Sequence, residues 1–321
     1  VSLTYLESLV VGAFQGFSEL FPISSLGHSV LIPALVGGPW AQDLSVSAPE
    51  SPYLAFIVGL HVATAAALLV FFWRDWVLII GGFFASIRHR SVTDPYQRLA
   101  WLIIIATIPV GLAGLLLEHA FRTTLGKPIP AAAFLVVNGL VLLAGERLRR
   151  RAPVAVPAGA AAVDAGGLTM ADVAAERLVR GGEDDGSGPE ADHRLAGLSL
   201  RAATTIGSAQ VLALLPGISR SGSTMVAGLF RGLSHEDAAR FSFLLATPVI
   251  LAAGLLKIPD LFGPLGAGIH GQVVVGSLAS FATAYLSVRY LTRYFRTRTL
   301  TPFAIYSIVL GGAALVWLSV R

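Results

Sequence analysis

Ile23-Ser24-Ser25-Leu26-Gly27-His28-Ser29 and Ile218-Ser219-Arg220-Ser221-Gly222-Ser223-Thr224 decide how this chain folds. The two heptapeptides align at a constant offset of 195 residues, with Ile, Ser and Gly identical and a hydroxyl kept at the last position. Each interrupts an apolar stretch near its middle, Leu3–Val36 in one case and Leu198–Phe230 in the other, at Pro22 and at Pro216-Gly217. Proline removes a helical donor and clashes with the preceding turn, so each stretch reads as two half-helices. Broken backbone at membrane depth persists only where protein buries it or a wet cavity accepts it. Both stretches are therefore read as re-entrant hairpins that enter and leave on one side.

Outward from the hairpins lie six apolar runs of spanning length: Tyr53–Phe72, Leu99–Leu117, Ala131–Gly145, Phe241–Leu256, Val273–Leu291 and Pro302–Leu318. The chain has 321 residues, 55% hydrophobic and only 13% charged, whereas a soluble domain carries about a quarter charged residues. Most of it thus has no water to face. The predicted class is an all-α polytopic membrane protein with six transmembrane helices and two re-entrant helical hairpins. Three spans after the first hairpin reverse the side from which the second enters, which makes the arrangement an inverted repeat. The first repeat is 1–146, a flexible cytoplasmic linker occupies 147–197, and the second repeat is 198–321. The linker is rich in Ala, Gly and charge and lacks the apolar content to fold alone; Ala171–Val179 is a candidate short amphipathic helix within it.

Eighteen of the 23 basic residues fall in Arg74–Arg98, Arg147–Arg201, Arg231–Arg240 and Arg289–Arg298, all on one side of the predicted membrane. Arginine and lysine bias sets topology, so that side is cytoplasmic and the first hairpin opens outward. The charges between spans, Asp75 among them, read as solvated. Positive charge this scattered serves topology and predicts no nucleic-acid partner. The absence of cysteine excludes disulfides, thiolate metal sites and a cysteine nucleophile. No basic segment followed by a small-residue cleavage site opens the chain, so no removable signal peptide is expected.

Chemistry concentrates in the hairpins. Gln15 and Glu19 are four apart and share a helix face among Phe17, Leu20 and Phe21. An ionisable side chain at that depth is costly and marks a functional site, the alternative being a local cap. Ser24, Ser25 and His28 follow the break, with Ser25 and His28 spaced to meet on one turn as nucleophile and base. The alternative is that the serines only satisfy freed backbone groups. Arg220 stands alone among Ser219, Ser221, Gly222, Ser223 and Thr224. A guanidinium fork, hydroxyls and the start of a half-helix together make a phosphate cradle. A structural Arg220–Glu19 ion pair is the competing account, and the two overlap. His61, inside the first span, could reach the site but is assigned to helix packing or a bond to nearby backbone.

Gln15-Gly16-Phe17-Ser18-Glu19 with Pro22-Ile23-Ser24-Ser25-Leu26-Gly27-His28, and the second motif Pro216–Thr224, resemble the undecaprenyl-pyrophosphate phosphatases, also called bacitracin-resistance proteins. Phe241–Ala246 and Pro302–Tyr306 are similar to further family segments, and the likeness covers nearly the whole chain outside the linker. The resemblance implies hydrolysis of undecaprenyl diphosphate to the monophosphate, recycling the cell-wall lipid carrier, with Mg²⁺ or Ca²⁺ required. It assigns catalysis to Glu19, Ser25, His28 and Arg220, substrate phosphates to Ser24, Ser219, Arg220, Ser221, Gly222, Ser223 and Thr224, and metal to Gln15 and Glu19. Gln15 departs from the glutamate that many members carry there, so Glu19 must do more.

The expected partners are a polyprenyl diphosphate and membrane lipids, with self-association as a homodimer left open. The expected location is the bacterial plasma membrane with an extracytoplasmic active site. Three nucleophiles stay open at this point: Ser25, His28, or water activated by His28. A transporter or flippase for an anionic lipid would share the inverted repeat and the Arg220 cradle without needing Ser25, His28 and Glu19. An acid-phosphatase-like lipid phosphatase is disfavoured by the lack of its Lys/Arg-Pro motif.

Overall fold

Serine and threonine caps set the helix starts. Thr4 and Glu7 form a reciprocal capping box at the first helix, and Ser24, Ser199, Ser219 and Ser234 cap four more. The computed structural model describes residues 3–38, 44, 52–151, 189–263 and 266–320, and every regular element among them is helical. The first half holds α1 (Tyr5–Leu20), α2 (Ser25–Val36), α3 (Pro52–Phe71), α4 (Trp73–His89), α5 (Pro95–Leu125) and α6 (Pro128–Arg151). The second holds α7 (Pro189–Ala196), α8 (Leu200–Ser208), a 3-10 turn over Ala209–Leu214, and α9 (Arg220–Phe230). It ends with α10 (His235–Phe262), α11 (His270–Tyr294) and α12 (Thr301–Val320).

Among the described residues five helices are long and apolar enough to cross a membrane, namely α5, α6, α10, α11 and α12. The pair α3 and α4 passes the same test jointly but bends by 87° at its break. The chain is a multi-pass membrane protein. Most of the basic stretch Arg74–Arg98, placed on the cytoplasmic side by its charge, is a helix. It turns Val77, Ile80 and Phe84 outward while burying Asp75 and Ile79. An apolar outer face on a helix nearly perpendicular to its predecessor suits a position in the membrane interface.

The halves pack crosswise. α1 lies along α11 and α8 lies along α5, so the first arm of each broken stretch rests on a long helix of the opposite half. Small residues permit both approaches: a Cβ on Gly12 would come 2.2 Å from the Gly276 carbonyl oxygen, and one on Gly207 would come 1.9 Å from that of Ala106. α3 packs on α10 and α11, and α6 packs on α12.

Asp75 corrects the expectation of a solvated charge. It is 4% exposed and pairs at 3.0 Å with Arg240, itself buried, whose Nε donates to Asp192 at 2.9 Å. The pairing follows from the bend after Phe72, which folds α4 back toward α10; the Arg240 guanidinium lies over the Phe72 ring. Of the expected linker, residues 147–151 complete α6 and residues 189–196 form α7, whose Asp192 is buried in this cluster. Residues 152–188, with the expected helix at 171–179, lie outside the described residues.

Candidate active site

The two breaks meet each other. Ser24 caps α2 by accepting from the Gly27 N–H at 3.2 Å, and Ser219 caps α9 by accepting from the Gly222 N–H at 3.1 Å. The caps therefore stand at the same offset as the repeated heptapeptides. Ser24 also accepts from the Gly217 N–H at 3.2 Å, which joins the tips directly. It does so with a φ of 69°, a left-handed conformation that a serine holds only when its surroundings over-determine it. The Ser221 hydroxyl donates to the Phe21 carbonyl at 3.2 Å, satisfying a group freed by the end of α1. Gly27 and Gly217 are glycines for steric reasons: a Cβ on Gly27 would lie 2.8 Å from the Gly217 Cα, and Gly217 itself has a φ of 110°.

Asn138, which no motif singled out, binds both tips at once. Its amide nitrogen donates to the Pro22 carbonyl at 3.1 Å and to the Ser307 hydroxyl at 3.3 Å, while its amide oxygen accepts from the Ser219 N–H at 2.9 Å. It is fully buried in α6. The signal was available, because a single amide inside the apolar run 131–145 needs a partner in a medium without water. Replacing Asn138 by Ala strands two buried backbone groups and loosens the registry of the tips. A displacement of about 1 Å at reacting groups costs on the order of a hundredfold. The expected result is a fall in kcat of about ten- to a hundredfold with little change in KM. A wild-type kcat in the alanine variant removes Asn138 from any positioning role.

Beside the joined tips sits the charged centre. Arg220 Nη2 donates to Glu19 Oε1 at 3.3 Å, with both side chains largely buried. Glu19 Oε2 accepts from the Ser25 hydroxyl and, at 3.1 Å, from the Gln15 amide. Among the described residues Arg220 Nε and Nη1 are buried without a partner, and so is the Ser223 hydroxyl one turn along α9. Guanidinium donors left unpaired in a low-dielectric setting are costly and want an anion.

The expected residues sort into three groups. Gln15, Glu19, Ser25 and Arg220 converge. Ser24, Ser219, Ser221 and Gly222 hold the tips together rather than facing an open space, and the Thr224 hydroxyl donates to the Arg220 carbonyl at 2.7 Å. His28 does not pair with Ser25. Its Nδ1–H donates to the Ser24 carbonyl at 2.7 Å, and its Nε2 accepts from the Tyr306 hydroxyl at 2.9 Å, with the rings stacked. No hydrogen bond joins it to Glu19, Ser25 or Arg220 among the described residues; it shares with Gln15 the wall of a cavity of about 70 Å³ between α1 and α2. Spacing brought Ser25 and His28 onto one turn, but a carboxylate outcompetes an imidazole for the serine proton. His61 keeps its expected backbone bond, to the Ile57 carbonyl at 2.9 Å, and also presents Nε2 to Gln15 at 3.3 Å.

The family model described as Bacitracin resistance protein BacA matches residues 8–313. A protein of Mycolicibacterium paratuberculosis named undecaprenyl-diphosphatase is 69% identical over 319 residues, covering 99% of each chain. One of Mycobacterium avium with the same name is 68% identical over 319 residues, and undecaprenyl-diphosphatase 1 of Frankia casuarinae is 52% identical over 364 aligned positions, covering 98% of each chain. With the matched region running from the first hairpin through the last span, the chain belongs to the BacA bacitracin resistance protein family.

Proposed function

We propose that this chain hydrolyses undecaprenyl diphosphate to undecaprenyl phosphate and inorganic phosphate, returning the lipid carrier to cell-wall synthesis. The observation that carries the reading is the buried Arg220 beside Glu19, with two guanidinium N–H groups left for an anion. The names of the relatives agree with it. The lipid tail lies among the helices and the diphosphate enters where the tips meet. Arg220 binds its oxygens in two-point contact and takes up charge that builds in the transition state.

Ser25 is the nucleophile favoured by its hydroxyl's bond to Glu19. Its oxygen attacks the terminal phosphorus, its proton passes to Glu19, and the bridging P–O bond breaks to release the prenyl monophosphate. Water then cleaves the phosphoserine to free phosphate, and the proton returns to the serine. His28, held by Tyr306, orients the start of α2. Oxygen donors on Glu19 and, with its amide turned, Gln15 suit a hard divalent cation such as Mg²⁺ or Ca²⁺. No group of three acidic or histidine side chains is present among the described residues, so substrate oxygens and water complete the shell. When bound, that cation neutralises phosphate charge.

The inverted repeat is supported by the matching caps at Ser24 and Ser219 and by the crosswise packing of α1 and α8. Arginine bias favours an extracytoplasmic site in the plasma membrane. Purified protein in detergent should release phosphate from C55 diphosphate and lose that activity with chelator. Detergent abolishes transport but permits hydrolysis, so absence of release would return the chain to the transporter class.

A further inference from the structure

We propose that His61 is a nitrogen ligand of the divalent cation held by Glu19, making the cation site of this chain a mixed nitrogen–oxygen one. The inference rests on the phosphatase reading above for the existence of that cation. His61 lies on α3 and its ring is fixed by chemistry that leaves no choice of tautomer. A carbonyl only accepts, so the contact between Nδ1 and the Ile57 carbonyl at 2.9 Å puts a proton on Nδ1, and the neutral ring then carries its lone pair on Nε2. An Nδ1–H donating to backbone is the outer-shell bond that metal-binding histidines usually make. Nε2 faces inward, toward α1.

Three atoms then form a triangle. Nε2 of His61 is 3.7 Å from Glu19 Oε2 and 3.3 Å from the Gln15 amide nitrogen, which is 3.1 Å from Glu19 Oε2. A circle through points so spaced has a radius of about 2 Å, the length of a bond from a small divalent cation to oxygen or imidazole nitrogen. As oriented, the Gln15 amide donates between two acceptors, and its hydrogens stand in for the positive charge. Turning that amide by half a rotation presents its oxygen to the same point, an orientation chosen by whatever the site holds. An amide at position 15 carries no charge, and His61 adds a donor without adding one either, so Glu19 stays the single anion against Arg220. An imidazole in the set shifts preference from Ca²⁺ and Mg²⁺ toward first-row transition metals, of which Mn²⁺ is the most Mg²⁺-like and serves as a paramagnetic probe.

Mn²⁺ added to the purified protein in detergent tests this by pulsed EPR, which reads nitrogen coupling independently of turnover. Bound Mn²⁺ should show ¹⁴N modulation in the wild type and in His28→Ala. It should lose that modulation in His61→Ala, with Mn²⁺ affinity lowered by about tenfold or more. Bound Mn²⁺ without nitrogen coupling, coupling that survives in His61→Ala, or no Mn²⁺ binding at all overturns the proposal. Phosphate release by the same wild-type sample separates the two readings. An active enzyme without nitrogen coupling sinks only the ligand, whereas coupling in a protein that releases no phosphate sinks only the phosphatase.

Discussion

Arg220→Ala is expected to lower phosphate release by about a thousandfold or more, as the loss of a preorganised cation at a transferring phosphoryl group does. The size follows from where the guanidinium stands. Its side chain is 10% exposed, one nitrogen holds Glu19 at 3.3 Å, and the other two have no partner among the described residues. A charge already fixed and desolvated spends nothing on reorganisation as the reaction proceeds. Arg220→Lys should restore little, since an ammonium offers a point charge where a planar fork is required. The alanine variant also leaves the Glu19 carboxylate buried without its partner, which costs about 3–5 kcal/mol in comparable pairs. Thermal unfolding in detergent must therefore accompany the assay. A folded Arg220→Ala protein turning over within tenfold of wild type excludes Arg220 from the phosphate site.

What the sequence made legible was the set of groups too costly to be incidental. Glu19 stands in apolar surroundings and Arg220 is a lone charge beside them, and Pro22 and Pro216-Gly217 break helices that otherwise have no reason to stop; the two breaks and their contact follow from those residues. The bend after Phe72 was hidden because Phe71-Phe72-Trp73 contains neither proline nor glycine. Asp75 and Arg240 each looked like a surface charge, and only the bend after Phe72, which brings Asp75 beside α10, makes them a buried pair. The hydrogen-bond partners of the hydroxyls at the two breaks were illegible for a related reason. Sequence shows that a broken helix frees backbone groups but not which neighbour will satisfy them, and here the opposite tip does so through Ser24 and Ser221. His61 is within reach of the site by sequence, but whether its nitrogen turns inward depends on how α3 meets α1.

Glu19→Gln should abolish turnover as completely as the arginine variant, by about a thousandfold, while keeping the side chain's volume. One oxygen of Glu19 pairs with Arg220 and the other accepts from Ser25 and Gln15. An amide in its place cannot take the serine proton and ligates a cation poorly. It also leaves Arg220 buried beside a neutral group, so the single variant should unfold more easily. The double variant Glu19→Gln/Arg220→Gln separates holding the fold from doing the chemistry. Removing both charges removes the burden of either alone, so its stability should exceed that expected from adding the two single losses. Activity should not follow, because residues that act as one unit fail together and the pair fails no worse than its members. Recovery of phosphate release alongside stability in the double variant would reduce the Glu19–Arg220 contact to a structural ion pair and move the chemistry elsewhere in the molecule.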